Sequence, residues 1–212
     1  MSLGLPVIII GAGGHAKVLI ELMNATGATV AGLTDTDPER HGDWILGHPV
    51  LGGDEVIDAH APDTVELIVG IGTTRPAPLR RHIYETYAAR GYRFRTCIHP
   101  ETWVSPDAVI SDGAQIMAGA IVQPDALIGT NSIINTRASI DHDCRIGNHA
   151  HIAPGAVLGG AVRIGNGAHI GTGAIVIENV TIGEDSLIAA GACVIRDVAD
   201  GSRVGGVPAK PI

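Results

Sequence analysis

The sequence predicts a chain in two parts. A small α/β domain with a parallel sheet occupies residues 1–98, and an all-β parallel solenoid occupies residues 99–212. Three observations carry this prediction. The first part alternates strand-like and helix-like segments. The second places an aliphatic residue at every sixth position without interruption. Aromatic residues make up only 3% of the 212, with a single Phe against 29 Gly. A core so poor in rings has to be filled by small and β-branched side chains, as stacked repeats are.

In the first part, Val7 to Ile10 reads as a buried strand. Gly11-Ala12-Gly13-Gly14-His15-Ala16-Lys17 follows as a turn into an amphipathic helix that runs to about Ala25. Thr29 to Leu33 is a second strand ending at Asp35, Glu66 to Ile71 a third, and Tyr92 to Ile98 another; Arg75 to Arg90 is a helix. The glycine-rich turn resembles a dinucleotide fingerprint whose last glycine is replaced by Ala16, in a Rossmann-like sheet too short for a full dinucleotide domain. Backbone N–H groups at the helix start suit a phosphate, so a mononucleotide-linked ligand is expected ahead of NAD. A competing reading is that the glycines only make a tight strand-to-helix turn.

From Val104 to Val194 the first residues of sixteen consecutive hexapeptides are all Val, Ile or Leu, and the fifth residues, Ala108 to Val198, are Ala, Ser, Cys or Val. Each hexapeptide is one short strand and a turn. The large aliphatic residue points inward, the fifth residue fits where space is small, and Gly, Asn and Asp between them supply turn conformations. A single repeat cannot bury its own face, so the repeats stack. With three hexapeptides per coil, residues 18 apart lie above one another.

The formal charge is −8 and no basic patch is present, which argues against nucleic acid as a partner. The apolar run Val7–Ile10 is too short for a bilayer span and no charged segment precedes it, so a cytoplasmic protein with no membrane partner is expected. Cys97, Cys144 and Cys193 lack metal or disulfide spacing and are expected as small buried residues.

The segment Asn135-Thr136-Arg137-Ala138-Ser139-Ile140-Asp141-His142-Asp143-Cys144 carries the chemistry. His142 falls on an outward turn position, with Pro124 and Gly160 as its neighbours in the stack. An exposed imidazole titrates near neutral pH, and Asp143 is placed to hold its tautomer. Acyl transfer from a thioester to an amine needs such a base and an N–H donor for the oxyanion; Gly160 offers the donor at the same corner. A solvated turn histidine is the plainer alternative. His151 and His169, 18 apart, should stack. They read as ligand contact, as a metal column or as ladder packing, and the expectation is a ligand contact by His151 with no metal.

These motifs, with the closing Gly206-Val207-Pro208-Ala209-Lys210, resemble the bacterial sugar O- and N-acetyltransferases related to NeuD and PglD. The resemblance implies a left-handed β-helix, a homotrimer with active sites between adjacent β-helices, acetyl-coenzyme A as cosubstrate and a nucleotide-sugar substrate on the N-terminal domain. It implies N-acetylation of a nucleotide-linked 4-amino-4,6-dideoxyhexose for a cell-surface polysaccharide such as O-antigen, closest to GDP-perosamine, with a UDP-linked sugar also open. Sialic acid-type O-acetylation and a γ-carbonic anhydrase-like metalloenzyme are the alternatives. It implies His142 as base, Asp143 as its acidic partner and Gly160 as oxyanion donor. His151 is placed beside the thioester and Asn135 near the sugar. Thr172 and Ala190 are placed along the coenzyme, with Lys210 at a coenzyme phosphate. Gly13, Gly14, His15, Asp35 and Thr36 are assigned to the nucleotide sugar.

Overall fold

The computed structural model describes residues 4–76 and 78–212. The chain divides into two compact units. One takes the chain to Gly72 together with His82–Arg95; the other takes Thr73–Arg81 and Thr96–Ile212. The boundary expected at residue 98 falls at Arg95, and the segment Thr73–Arg81 goes with the repeats.

The first unit holds strands β1 (Val7–Ile10), β2 (Val30–Thr34), β3 (Trp44–Ile45), β4 (His48–Gly52), β5 (Glu66–Val69) and β6 (Arg93–Phe94) in the order β3-β4-β2-β1-β5-β6. β1 lies between β2 and β5, parallel to both, and is buried throughout. A continuous aliphatic run suits a central parallel strand. Helix α1 (Gly14–Thr26) buries Ala16, Leu19, Ile20, Leu22 and Met23 and ends on left-handed Gly27, close to the expected bounds. Helix α2 (Pro78–Ala89) starts three residues later than expected, after Pro76. The β3–β4 hairpin has no strong sequence signal. Its turn is Leu46-Gly47 with both φ angles positive, 46° and 84°, where Asn-Gly is the usual pair.

The second unit is three sheets of eight, six and five strands wound by one chain, parallel throughout except for the edge strand Lys210–Pro211, which pairs antiparallel with Arg203–Gly205. Strands 18 residues apart pair in register, as Ile116 with Ile134 and Ile152 with Ile170. The first-position aliphatics from Ile116 to Val194 and the small fifth-position residues line one core. The turns follow a stricter rule than expected. Every sixth residue from Gly113 to Gly191 has positive φ, including Asp125, Asn131, Arg137, Asp143, His149 and Ala161. The fourth hexapeptide position is therefore the left-handed one, which explains its wealth of Gly, Asn and Asp.

Two expectations shift at the ends. Cys97–Ile98 is not the end of a strand of the first unit. It pairs with Gln115–Ile116 and is the first rung of the solenoid, one hexapeptide before Val104. At the other end Val198 bridges Ile182 and Val204 pairs with Ile188, both 16 residues apart, so Val198 stands in a first position and not a fifth. Cys97 and Cys144 are buried, while Cys193 is only partly so.

Candidate active site

His142 and Asp143 occupy one corner of the solenoid, fixed from below by the inward Ile140 and from the side by Asp143 N–H donating to Pro124 O at 3.1 Å. The left-handed backbone of Asp143 (φ 60°) turns its carboxylate back onto the preceding residue: His142 Nδ1 lies 2.7 Å from Asp143 Oδ2. The His142 N–H donates to Asp141 Oδ1 at 2.7 Å, which fixes the backbone of the turn. The imidazole is exposed, and its hydrogen bond to Asp143, followed by the charge of Asp141, raises its pKa above the ordinary histidine value. With the carboxylate accepting from Nδ1, the neutral ring carries its lone pair on Nε2.

Nε2 points over Gly160. A Cβ built on Gly160 would stand 2.8 Å from His142 Nε2 and 2.7 Å from Cε1, so the ring occupies the space that any side chain at 160 would need. Gly160 O accepts from Asn179 N–H at 2.9 Å, whereas the Gly160 N–H has no partner among the described residues. One corner thus presents a lone pair on Nε2, a carboxylate behind it and an unused backbone donor beneath it.

In the first unit the glycine-rich turn leaves the carboxyl end of β1 and Asp35 leaves that of β2. This is the switch point of the sheet, where open α/β folds bind ligands. Gly11 needs its glycine for conformation (φ 96°). Gly13 and Gly14 do not: a Cβ at either would meet nothing within 4 Å. The competing reading of a merely tight turn therefore fits Gly11 and leaves Gly13 and Gly14 facing open space at the start of α1. Gly72 closes on His15, whose Cβ would lie 3.0 Å from a side chain there. The Asp35 carboxylate accepts from Ala12 N–H (3.2 Å), Asp37 N–H (3.0 Å) and Arg40 Nη1 (3.0 Å), which ties the glycine-rich turn to the loop after β2. Thr36 is exposed beside it. Arg40 and His41, whose Nε2 sits 2.8 Å from Asp35 O, both contact Asp35 and carry no motif that sequence reading detects.

The first half of the chain matches the PglD N-terminal domain over residues 6–87, and the second matches the bacterial transferase hexapeptide (six repeats) over residues 125–160 and 161–196. PerB from Caulobacter crescentus, solved with coenzyme A and GDP-perosamine, is 41% identical over 98% of this chain and 97% of that one, with a TM-score of 0.91. The acetyltransferase domain of PglB from Neisseria gonorrhoeae FA1090 is 38% identical over 98% and 99%, with a TM-score of 0.90. UDP-N-acetylbacillosamine N-acetyltransferase of Bacillus subtilis (strain 168) is 41% identical over 116 residues, 53% of this chain and about half (51%) of that protein. The chain belongs to the PglD-related sugar N-acetyltransferases. The likeness over nearly the whole chain carries the left-handed winding of the β-helix, as the resemblance implied.

In this acetyltransferase the other expected residues do not all meet at the His142 corner. Backbone hydrogen bonds run Asp143 to Pro124, Ala161 to His142 and Asn179 to Gly160 up one corner. They run Gly155 to Thr136, Gly173 to Pro154 and Gly191 to Thr172 up another, which is the corner of Thr172 and Ala190. Thr172 lies 30 residues from His142, not a multiple of the 18 that returns the chain to one corner. His151 lies on the sheet opposite the His142 corner and is 6% exposed, not an open surface contact. Its Nε2 is 3.1 Å from Asn135 Nδ2 and its Nδ1 2.8 Å from Thr73 Oγ1. His151 and His169 lie one above the other on neighbouring rungs as expected, their rings edge to face with centroids 4.9 Å apart and an angle of 88°. Burial pushes the His169 pKa down to about 4. Among the described residues no group of three or more His, Cys, Asp or Glu is arranged to hold a metal ion. Lys210 is exposed on the closing hairpin, beside a cavity of about 740 Å³ also lined by Arg196, Ser202, Arg203 and Pro208. Arg196, Arg203 and Lys210 outnumber the one acidic side chain of the lining, Asp197, in a chain of net charge −8. Thr73 is the residue that sequence reading missed outright: it sits in the loop after β5 and carries no motif.

Proposed function

We propose that the chain transfers the acetyl group of acetyl-coenzyme A to the 4-amino group of a nucleotide-linked 4-amino-4,6-dideoxyhexose, with GDP-perosamine favoured over a UDP-linked sugar. The product would serve a cell-surface polysaccharide such as O-antigen. The observation that carries this reading is the His142–Asp143–Gly160 corner, where the Nε2 lone pair and the unpaired Gly160 N–H stand on adjacent coils.

Acetyl-coenzyme A supplies an activated acetyl thioester. His142 Nε2 removes the proton from the amine as its nitrogen bonds to the acetyl carbon, and later delivers that proton to the leaving sulfur as the C–S bond breaks. Asp143 holds the Nδ1–H tautomer and stabilises the imidazolium formed in between. The Gly160 N–H donates to the oxyanion that develops on the carbonyl oxygen. Gly13 and Gly14 leave room for the nucleotide-sugar phosphates at the start of α1, where the helix dipole favours an anion. Lys210 and its neighbouring arginines suit a coenzyme phosphate.

The assembly is proposed to be a homotrimer. The six-stranded sheet exposes Trp103, Ile121, Val157 and Ile175 in one outward stripe, a surface that a second copy would cover. A neighbouring copy would also bring a Thr172–Ala190 corner toward the His142 corner that one chain keeps apart. Action in the cytoplasm is proposed from the water-soluble nature of both proposed substrates; among the described residues no helix is long and apolar enough to cross a membrane.

The test is release of coenzyme A thiol from acetyl-coenzyme A with a panel of GDP- and UDP-linked 4-amino and 4-hydroxy sugars. Turnover confined to the amino sugars is the expected result. Turnover confined to hydroxyl acceptors, or with none, overturns the reading. Sedimentation at micromolar concentration tests the trimer, and a monomer there refutes it.

A further inference from the structure

We propose that Thr73 is a positioning residue that acts through His151 on Asn135. The observation is a chain of hydrogen bonds whose direction is set by one backbone amide. Asn135 Oδ1 accepts from the Thr136 N–H at 2.7 Å. A backbone N–H only donates, so the orientation of the Asn135 carboxamide is fixed and its NH2 faces His151 Nε2, 3.1 Å away. His151 Nε2 must then accept. The ring is neutral and carries its proton on Nδ1, which donates to Thr73 Oγ1 at 2.8 Å. The Thr73 hydroxyl hydrogen is left to point toward His169 Nδ1 at 3.5 Å. His169 can accept it, since burial holds that ring neutral, with a pKa of about 4.

Thr73 belongs to the same compact unit as the repeats, and its hydroxyl lies within reach of both histidines of the neighbouring rungs, 2.8 Å from His151 Nδ1 and 3.5 Å from His169 Nδ1. Without the hydroxyl, the Nδ1–H of a nearly buried ring would lose the acceptor that stands 2.8 Å from it. The ring would then shift its proton or turn, and Nε2 would no longer hold the Asn135 amide. The consequence for catalysis rests on the acetyltransferase reading above, in which Asn135 faces the sugar. Nothing in composition or motif singles out Thr73.

The experiment compares Thr73→Val, which removes the hydroxyl at nearly constant shape, with Thr73→Ser, which keeps it. Long-range ¹H–¹⁵N spectra of the full chain near neutral pH read which nitrogen of His151 carries the proton. Wild type is expected to show Nδ1–H and a bare Nε2. Thr73→Val should shift His151 toward Nε2–H or imidazolium and, by releasing the Asn135 amide, lower kcat about tenfold. The KM for acetyl-coenzyme A should stay within about twofold, and Thr73→Ser should restore both readouts. A wild-type His151 found as Nε2–H overturns the proposal, even should the valine variant fail to fold. Unchanged His151 shifts and kcat in Thr73→Val overturn it as well. The spectra need no substrate. A wild-type protein that acetylates no amino sugar would therefore refute the functional reading, while the spectra still decide the role of Thr73.

Discussion

Replacing Gly160 by alanine tests the catalytic corner with a single methyl group. The new Cβ would stand 2.7 Å from His142 Cε1 and 2.8 Å from Nε2. Carbon atoms in ordinary contact are about 3.5–4.0 Å apart, so the ring must retreat by roughly 1 Å. Gly160 has no positive φ, so its backbone accepts alanine, and the only atoms displaced belong to an exposed side chain. The fold should therefore be spared. A misplacement of about 1 Å in a reacting group costs on the order of 10²-fold in rate, and kcat in the thiol-release assay should fall by about that factor while thermal stability stays unchanged. The double-mutant cycle is the sharper measurement. His142→Asn alone should cost about 10²–10⁴-fold. Adding Gly160→Ala to it should cost little more, because the imidazole that the methyl displaces is already gone. Two results would refute the reasoning: a Gly160→Ala enzyme within about threefold of wild type, or losses that multiply fully in the double mutant.

Further outcomes follow from the same geometry. His142 works as a base only when neutral, and Asp143 raises its pKa, so kcat/KM should fall as pH drops through that raised value; Asp143→Asn should move this acid limb to lower pH and reduce the plateau, which a pH–rate profile reads. Gly14→Val places a side chain where nothing of the protein stands, so calorimetry should show loss of nucleotide-sugar binding with coenzyme A binding intact; equal sugar affinity would remove the turn from the site. Ile152→Ala empties a fully buried inward position and should cost about 2–5 kcal/mol in denaturant unfolding; a cost near zero would mean that the coil collapses onto the gap.

The solenoid is legible in the residues alone, because a period of six with one aliphatic and one small position per repeat has few packings that bury every face. So are the glycine-rich turn after β1 and the His142–Asp143 pair, since both are contiguous in the chain and their chemistry is local. Counting in eighteens was enough to bring Gly160 to His142. The same count separates Thr172 and Ala190 from that corner, a distinction that position within the hexapeptide alone does not make. Tertiary structure decided the rest. Only the pairing of Cys97–Ile98 with Gln115–Ile116 showed that the repeat starts before Val104, because Ile98 also completes a plausible strand with Tyr92. Only packing showed His151 buried between Asn135 and Thr73, because the Thr73–His151 bond joins residues 78 apart. Its distance is set by how a non-repetitive loop lies on the sheet, and a loop side chain that carries one hydroxyl leaves no periodic trace.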